Sequence, residues 1–225
     1  MPIESIPNLK IIHKNNKIKQ LLTKNLVKGT AVYGEKLIRM GNAEYRVWDP
    51  ERSKLAAGIF KGLNELTLTK NSTILYLGAA TGTTVSHLSD IVVDGFIFAV
   101  EFSPFVMYNL VLLAEKRKNI LPILADANKP EQYYNISLAS DLILQDVAQP
   151  NQVDIFLKNV KIFLKTNGQA LLSVKARSID VSSKPGKIFS EVKKELSEHF
   201  NEVKQYTLSP FEKDHALFYC KNFKR

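Results

Sequence analysis

The sequence predicts an α/β protein: a mostly parallel sheet with helices on both faces, preceded by a small antiparallel β domain. Three observations predict it. Residues 73–103 read as strand, tight turn, helix and second strand. From residue 73 onward, short apolar runs alternate with longer helical segments. Residues 8–48, by contrast, hold only short strand-like stretches separated by turns. The expected division is residues 1–54 for the β domain and 55–225 for the sheet-and-helix domain.

In chain order, residues 9–12 and 17–23 are the first two strands and 26–32 a candidate third. Residues 43–48 alternate polar and apolar side chains, as a strand with one covered face does. Asp49-Pro50 is expected to open a helix, with Asp as cap and Pro in the first turn. That helix carries Leu55, Ile59 and Leu63 on one face. The run Ile74-Leu75-Tyr76-Leu77 is a buried strand bounded by Asn71-Ser72 and Gly78. Gly78-Ala79-Ala80-Thr81-Gly82 makes the turn, and a helix starts at Thr83-Thr84, threonines placed to cap it. Strand 96–100 ends in Glu101, and helix 104–117 follows. Strand 121–125 leads to Asp126-Ala127, and strand 142–145 to Asp146. Helix 152–165 turns Ile155, Phe156, Val160 and Phe163 inward and stops at Gly168. Strand 170–174 ends in Lys175, and helix 187–200 follows the loop 182–186. Strands 202–208 and 216–221, joined by a short loop, place one antiparallel strand at or near an edge.

Composition narrows the class. No apolar run approaches the roughly 20 residues of a membrane span, and the N-terminus lacks the pattern of a signal peptide. Cys220 is the single cysteine. It excludes an internal disulfide and a cysteine metal cluster, and fits a reducing, cytoplasmic location. No cluster of His, Cys and carboxylates suggests a metal. The net charge is +9, and residues 1–54 hold eleven Lys and Arg against five Asp and Glu. A basic front end points to a polyanionic partner, nucleic acid first, although a solubilising surface explains the charge equally well.

The turn after the first buried strand has the physics of a nucleoside site. Small residues, Gly78 and Ala79 among them, let backbone approach a ligand, and a helix N-terminus offers free N–H groups. Glu101, ending the second strand, can accept both hydrogen bonds of a ribose diol. Full GxGxxG spacing is absent, which suits a phosphate-free nucleoside such as S-adenosylmethionine better than a dinucleotide. In an open α/β sheet, ligands bind beyond the carboxyl ends of the strands. Four charged or acidic positions stand there: Glu101, Asp126, Asp146 and Lys175. Asp126 suits an adenine amine, and Asp146 a sulfonium or ammonium. Lys175 can orient a hydroxyl and stabilise a developing alkoxide, or act as base. Alternatively it is a surface lysine paired with Asp146.

Several strings, in order along nearly the whole chain, together resemble the fibrillarin family. They are Arg46-Val47-Trp48-Asp49-Pro50 with Ser53-Lys54-Leu55-Ala56-Ala57; Gly78-Ala79-Ala80-Thr81-Gly82-Thr83-Thr84-Val85-Ser86-His87; Ala99-Val100-Glu101-Phe102-Ser103; Asp126-Ala127; Asp146-Val147-Ala148-Gln149-Pro150; Ser173-Val174-Lys175-Ala176; and Asp214-His215-Ala216. Without a Gly/Arg-rich tail the chain resembles the archaeal type. Thr81 stands where many members carry Ser, which keeps the hydroxyl.

The resemblance implies a class I, Rossmann-like methyltransferase fold with a seven-stranded sheet. It implies transfer of a methyl group from S-adenosylmethionine to a ribose 2′-hydroxyl of rRNA or tRNA. It implies work inside a box C/D particle, with a guide RNA, a Nop-domain scaffold and a kink-turn-binding protein. The family's Lys-Asp-Lys-His set falls on Lys54, Asp146, Lys175 and His215. Its cofactor contacts fall on Thr83, Thr84, Glu101, Phe102, Asp126, Ala127, Asp146, Val147, Ala148 and Gln149. His87 lies in a matching string but is expected to be structural.

No RNA-binding module stands out, so base pairing with the guide is expected to supply specificity. Arg177, Lys184, Lys187 and Lys213 follow strand ends near Lys175 and are candidates for holding substrate RNA. Two other readings compete: an NAD-dependent oxidoreductase on the same βαβ plan, and a non-catalytic RNA-binding subunit with a methyltransferase-like fold. The glycine spacing argues against the first, and the intact charged strand ends against the second.

Overall fold

Asn15 and Asn16 both take left-handed backbone, φ 52° and 58°, as a two-residue hairpin turn requires. They join β1 (Leu9–Lys14) to β2 (Lys17–Lys24), and a turn at Gly41 joins β3 (Leu37–Met40) to β4 (Ala43–Val47). The four strands form an antiparallel sheet in the order β1-β2-β4-β3. The computed structural model describes residues 3–137 and 139–224.

Residues 26–32, expected as a strand, form a loop. Its backbone is held by side chains instead of a ladder: Glu44 Oε1 accepts from Gly29 N at 2.8 Å, and Asn25 Nδ2 donates to Thr30 O at 3.2 Å. The third strand falls later, at β3. Nor do Asp49 and Pro50 open the next helix. Asp49 Oδ1 accepts from Glu51 N at 2.9 Å in a local turn. Ser53 caps α1 (Lys54–Phe60) through Oγ and Ala56 N. Leu55 and Ile59 are buried on α1, and Leu63 beyond its end.

The second sheet has seven strands: β5 (Thr73–Leu77), β6 (Phe96–Glu101), β7 (Ile120–Leu124), β8 (Ser140–Gln145), β9 (Leu164–Lys175), β10 (Phe200–Thr207) and β11 (His215–Phe223). Between them run α2 (Thr83–Ile91), α3 (Pro104–Lys116), α4 (Gln152–Phe163), α5 (Ala176–Ile179) and α6 (Pro185–His199). The order is β10-β11-β9-β8-β5-β6-β7, and β11 alone runs against the others. One apolar cluster joins α1, α2 and α3 to one face, and a second joins α4 and α6 to the other.

Two local expectations differ from the fold, and one short helix was not expected. The threonines do not cap α2: Gly82 does, at φ 90° and with no side-chain cap bond. A Cβ there would overlap Leu113 Cδ2, so α3 packs too close for a capping side chain. Gly168 does not stop α4, which passes straight into β9 at Leu164. The glycine sits in an irregular stretch of β9, where the register with β8 shifts. The short helix α5 had no sequence signal.

A buried charge cluster fastens the first sheet to α2 and α3. Asp90 accepts from Arg46 Nη1 at 2.9 Å and from Arg117 Nη1 at 2.6 Å, and Arg46 Nε also reaches Glu35 at 2.5 Å. Thr23 Oγ1 donates to Asp90 at 2.7 Å, and Leu26 N donates to it at 3.0 Å. His87 lies alongside, stacked on Trp48 with ring centroids 4.9 Å apart and fully buried. Because the one Thr23 hydroxyl proton goes to Asp90, His87 Nδ1 must donate to Thr23, 2.7 Å away. His87 is therefore structural, as expected from sequence.

Burial, followed by the fields of Arg46 and Arg117, holds the His87 pKa well below its ordinary value. The folded protein keeps this imidazole neutral, whereas the unfolded chain protonates it near pH 6.5. Its contribution to stability is thus full above about pH 6.5 and is lost as the pH falls below that, at up to about 1.4 kcal/mol per pH unit. Urea unfolding between pH 7.5 and 5.5 checks this. The wild-type midpoint should drop, and His87→Gln should show a shallower drop. Equal slopes in both proteins would contradict it.

Candidate active site

The carboxyl ends of β5, β6, β7 and β8 open on a cleft of about 250 Å³. It lies where the strand order reverses, between β5 and β8. Gly78 forms its floor, at φ 78°, and a Cβ there would meet the Asp146 carbonyl oxygen at 2.6 Å. The turn after β5 can therefore approach β8 only as glycine. Ala80, at φ 49°, donates its N–H to Glu101 Oε2 at 2.9 Å, and Ser103 N donates to Oε1 at 2.8 Å. Both oxygens are fixed, and each keeps lone pairs for further donors.

Phe102 follows at the rim, 68% exposed, a ring free to stack on a base. On the next strand end, Asp126 accepts from Asn128 N at 2.9 Å, and buried Asn159 donates to Ala127 O at 2.8 Å. Val147, Ala148 and Gln149 complete the wall after Asp146. Gln152 braces that loop by donating to Gln149 O at 3.0 Å. Glu101, Asp126 and Asp146 line the cleft, and among the described residues no Lys or Arg does. Such a lining suits a nucleoside carrying positive charge and disfavours a diphosphate.

A second group meets the cleft at Asp146. Lys54, opening α1, donates Nζ to Asp146 Oδ2 at 3.0 Å, both side chains about one-quarter exposed. Glu212 Oε1 lies 4.0 Å from the same ammonium, and its Oε2 lies 3.8 Å from His215 Nδ1. His215 Nδ1 is 2.7 Å from Lys213 O. A carbonyl only accepts, so this nitrogen carries the proton. His215, which starts β11, stands directly opposite Lys175, which ends β9. Paired positions on antiparallel strands put both side chains on one face, with Cβ atoms about 5 Å apart. Lys175 is exposed, and its ammonium has no partner among the described residues. It is not paired with Asp146, the alternative that the sequence left open; the ion pair of Asp146 is with Lys54.

Of the residues expected to contact a cofactor, Gly78, Glu101, Phe102, Asp126, Ala127, Asp146, Val147, Ala148 and Gln149 line the cleft. Ala79, Thr83 and Thr84 do not. Ala79 is buried, with its N–H on Val100 O. Thr83 faces a separate groove with Arg52 and Lys116. Thr84 Oγ1 donates to Ser53 Oγ at 2.9 Å, tying α2 to the cap of α1. Ala80, Val100, Ala125 and Ile155 also line the cleft and were missed. Ala80 lay within the turn already singled out, whereas Ile155 comes from α4 and had no local signal.

The four residues expected to hold RNA are all exposed. Arg177 donates to Val181 O at 2.5 Å and lies 3.3 Å from Asp214, and Lys187 lies 3.9 Å from Glu191. Lys184 and Lys213 make no ion pair among the described residues.

The strand order, the single antiparallel strand beside an edge, and the cleft at the switch point define a class I methyltransferase fold. The family model for fibrillarin matches residues 2–224. This chain belongs to the fibrillarin family. It is 53% identical over 200 residues to a fibrillarin-like rRNA/tRNA 2′-O-methyltransferase of Thermococcus onnurineus, covering 88% of each chain. Among solved structures it is similar to the fibrillarin of a fibrillarin/Nop5p complex. There the TM-score is 0.86 at 44% identity, over 96% of this chain and 98% of that one. Fibrillarin of Aeropyrum pernix, solved with natively bound S-adenosyl-L-methionine, matches with TM-score 0.84 at 42% identity, over 95% of this chain and 94% of that one.

Proposed function

We propose that this protein is the catalytic subunit of a box C/D particle, transferring a methyl group from S-adenosylmethionine to a ribose 2′-hydroxyl of rRNA or tRNA. The observation that carries this reading is that a carboxylate-lined cleft meets Lys54 at Asp146, that Glu212 links Lys54 to His215, and that Lys175, without an ion-pair partner among the described residues, stands opposite His215. The names of its fibrillarin relatives, and the cofactor bound in the Aeropyrum protein, support it.

In this reading Glu101 takes the ribose diol of the cofactor, Phe102 flanks the base, Asp126 with Ala127 meets the adenine edge, and Asp146 attracts its positive charge. Bound there, S-adenosylmethionine supplies an electrophilic methyl on sulfur. Lys175 orients the substrate hydroxyl and stabilises negative charge developing on its oxygen. Lys54 fixes Asp146, and His215 takes its place beside Lys175. Thr83 and Thr84 stand outside the cleft and serve structure: Thr84 ties α2 to the cap of the helix that carries Lys54.

Arg177, Lys184, Lys187 and Lys213 hold the RNA backbone near this rim, in a salt-dependent way. Sequence selection falls to the guide RNA. A Nop-domain scaffold carries the enzyme, supported by the similarity to a fibrillarin in complex with Nop5p. A kink-turn-binding protein completes the particle. Residues 1–54 serve docking, apart from Lys54, which opens α1 and serves transfer together with residues 55–225. Among the described residues no helix is long and apolar enough to cross a membrane. With archaeal relatives such as that of Thermococcus, we place the particle in the cytoplasm.

Calorimetric titration tests the cofactor half. S-adenosylmethionine should bind saturably and NAD should not. Glu101→Ala should weaken binding by about 10- to 100-fold, the scale of hydrogen bonds to a charged acceptor. NAD binding in place of S-adenosylmethionine would overturn the reading, as would binding of neither by both the chain and the assembled particle.

A further inference from the structure

Glu212 belongs to none of the strings that suggested a site, yet its carboxylate stands between two of the residues they did suggest. Oε1 is 4.0 Å from Lys54 Nζ, and Oε2 is 3.8 Å from His215 Nδ1. The side chain is about one-quarter exposed, as are those of Lys54 and Asp146. Water screens such charges less than on an open surface.

The loop that presents it is closed at its base. Leu208 N donates to His215 O at 3.0 Å, and Ala176 N donates to Asp214 O at 3.0 Å. Phe211 N donates to Leu208 O at 3.0 Å, and the Phe211 ring packs edge-on against Phe60 at the end of α1. The loop thus joins the end of β9, the start of β11 and the helix that carries Lys54. A carboxylate at position 212 is held against all three.

We propose that Glu212 is a positioning residue for the transfer reaction. It shares the Lys54 ammonium with Asp146, and its charge adds to the Lys213 carbonyl in keeping the His215 proton on Nδ1, which leaves Nε2 as the acceptor. This rests on the methyltransferase reading given above. Without Glu212, Lys54 has one carboxylate instead of two, and only the Lys213 carbonyl fixes the His215 tautomer.

Two measurements test the proposal. In the reconstituted particle, Glu212→Gln should lower kcat roughly tenfold, a change of about 1.4 kcal/mol in the barrier. KM for S-adenosylmethionine and for RNA, and the unfolding midpoint, should stay near wild type. Combined with Lys54→Ala or His215→Ala, the same substitution should cost clearly less than tenfold, because residues acting through one another are not additive. In the isolated chain, 15N NMR of the His215 ring should find the Nδ1–H tautomer dominant in wild type and present in a smaller fraction in Glu212→Gln, where the Lys213 carbonyl alone favours it.

Wild-type turnover in Glu212→Gln, an undiminished tenfold cost in both double variants, or an unchanged tautomer would overturn the positioning role. A wild-type particle that makes no 2′-O-methyl product would instead overturn the functional reading, and the tautomer measurement would still decide the role of Glu212.

Discussion

Replacing Lys175 with alanine is expected to lower guided methyl transfer by at least about a hundredfold, the lower end of what a positioned proton-transfer or charge-stabilising group contributes. S-adenosylmethionine should bind the variant with wild-type affinity. Lys175 does not line the cofactor cleft, and among the described residues its ammonium is committed to no partner. Its removal therefore subtracts nothing from cofactor recognition and leaves no buried group unpaired. Lys175→Arg should restore little, since a planar guanidinium cannot present a single nitrogen in the same place. Single-turnover methylation by the reconstituted particle, with cofactor affinity measured in parallel, checks both halves. Near-normal transfer by Lys175→Ala would remove Lys175 from the mechanism.

The second large effect is on stability and lies far from the chemistry. Asp90→Ala should destabilise the fold by about 3–5 kcal/mol, the scale seen when one member of a buried ion pair is removed. Asp90 is fully buried and compensates two guanidinium groups, Arg46 and Arg117, themselves almost without exposure. Among the described residues, removing it leaves Glu35 as the one carboxylate paired with Arg46 and leaves Arg117 without an ion-pair partner. Urea denaturation at neutral pH gives the number. A loss below about 1 kcal/mol would mean that water reaches the cluster. Because Asp90 links α2 to both β4 and the end of α3, the first sheet should loosen with it. Native-state hydrogen exchange should then rise at β2 and β4 before β5 and β8.

The strand-helix alternation after residue 73 was legible because the stretches 74–77, 96–100, 121–125, 142–145 and 170–174 are short apolar runs that end at or lead into a charged or small residue. Glu101, Asp126, Asp146 and Lys175 announced the rim in the same way: a charge at the end of a buried strand stands out in one dimension. What the sequence hid was set by contacts between distant segments. The buried Arg46–Asp90–Arg117 cluster joins residues 44 and 27 positions apart, and each of them alone reads as ordinary surface charge. Gly82 replaces the threonines as cap of α2 because of Leu110 and Leu113 on α3, which no local pattern reports. Ser53 took the role given to Asp49 because Asp49 satisfied its own turn first. Glu212 escaped notice because it sits in a loop that reads as a connection and because one of its partners, Lys54, is far away in the chain.

The most direct measurement is the position and chemistry of the transferred methyl group. The reconstituted particle would be given isotopically labelled S-adenosylmethionine and an RNA complementary to its guide, and the RNA then digested to nucleosides. One 2′-O-methylated nucleoside, at the site fixed by the guide and moving with it when the guide is changed, is the predicted result. Label on a base, label at a position indifferent to the guide, or no label at all would contradict guided ribose methylation by this protein.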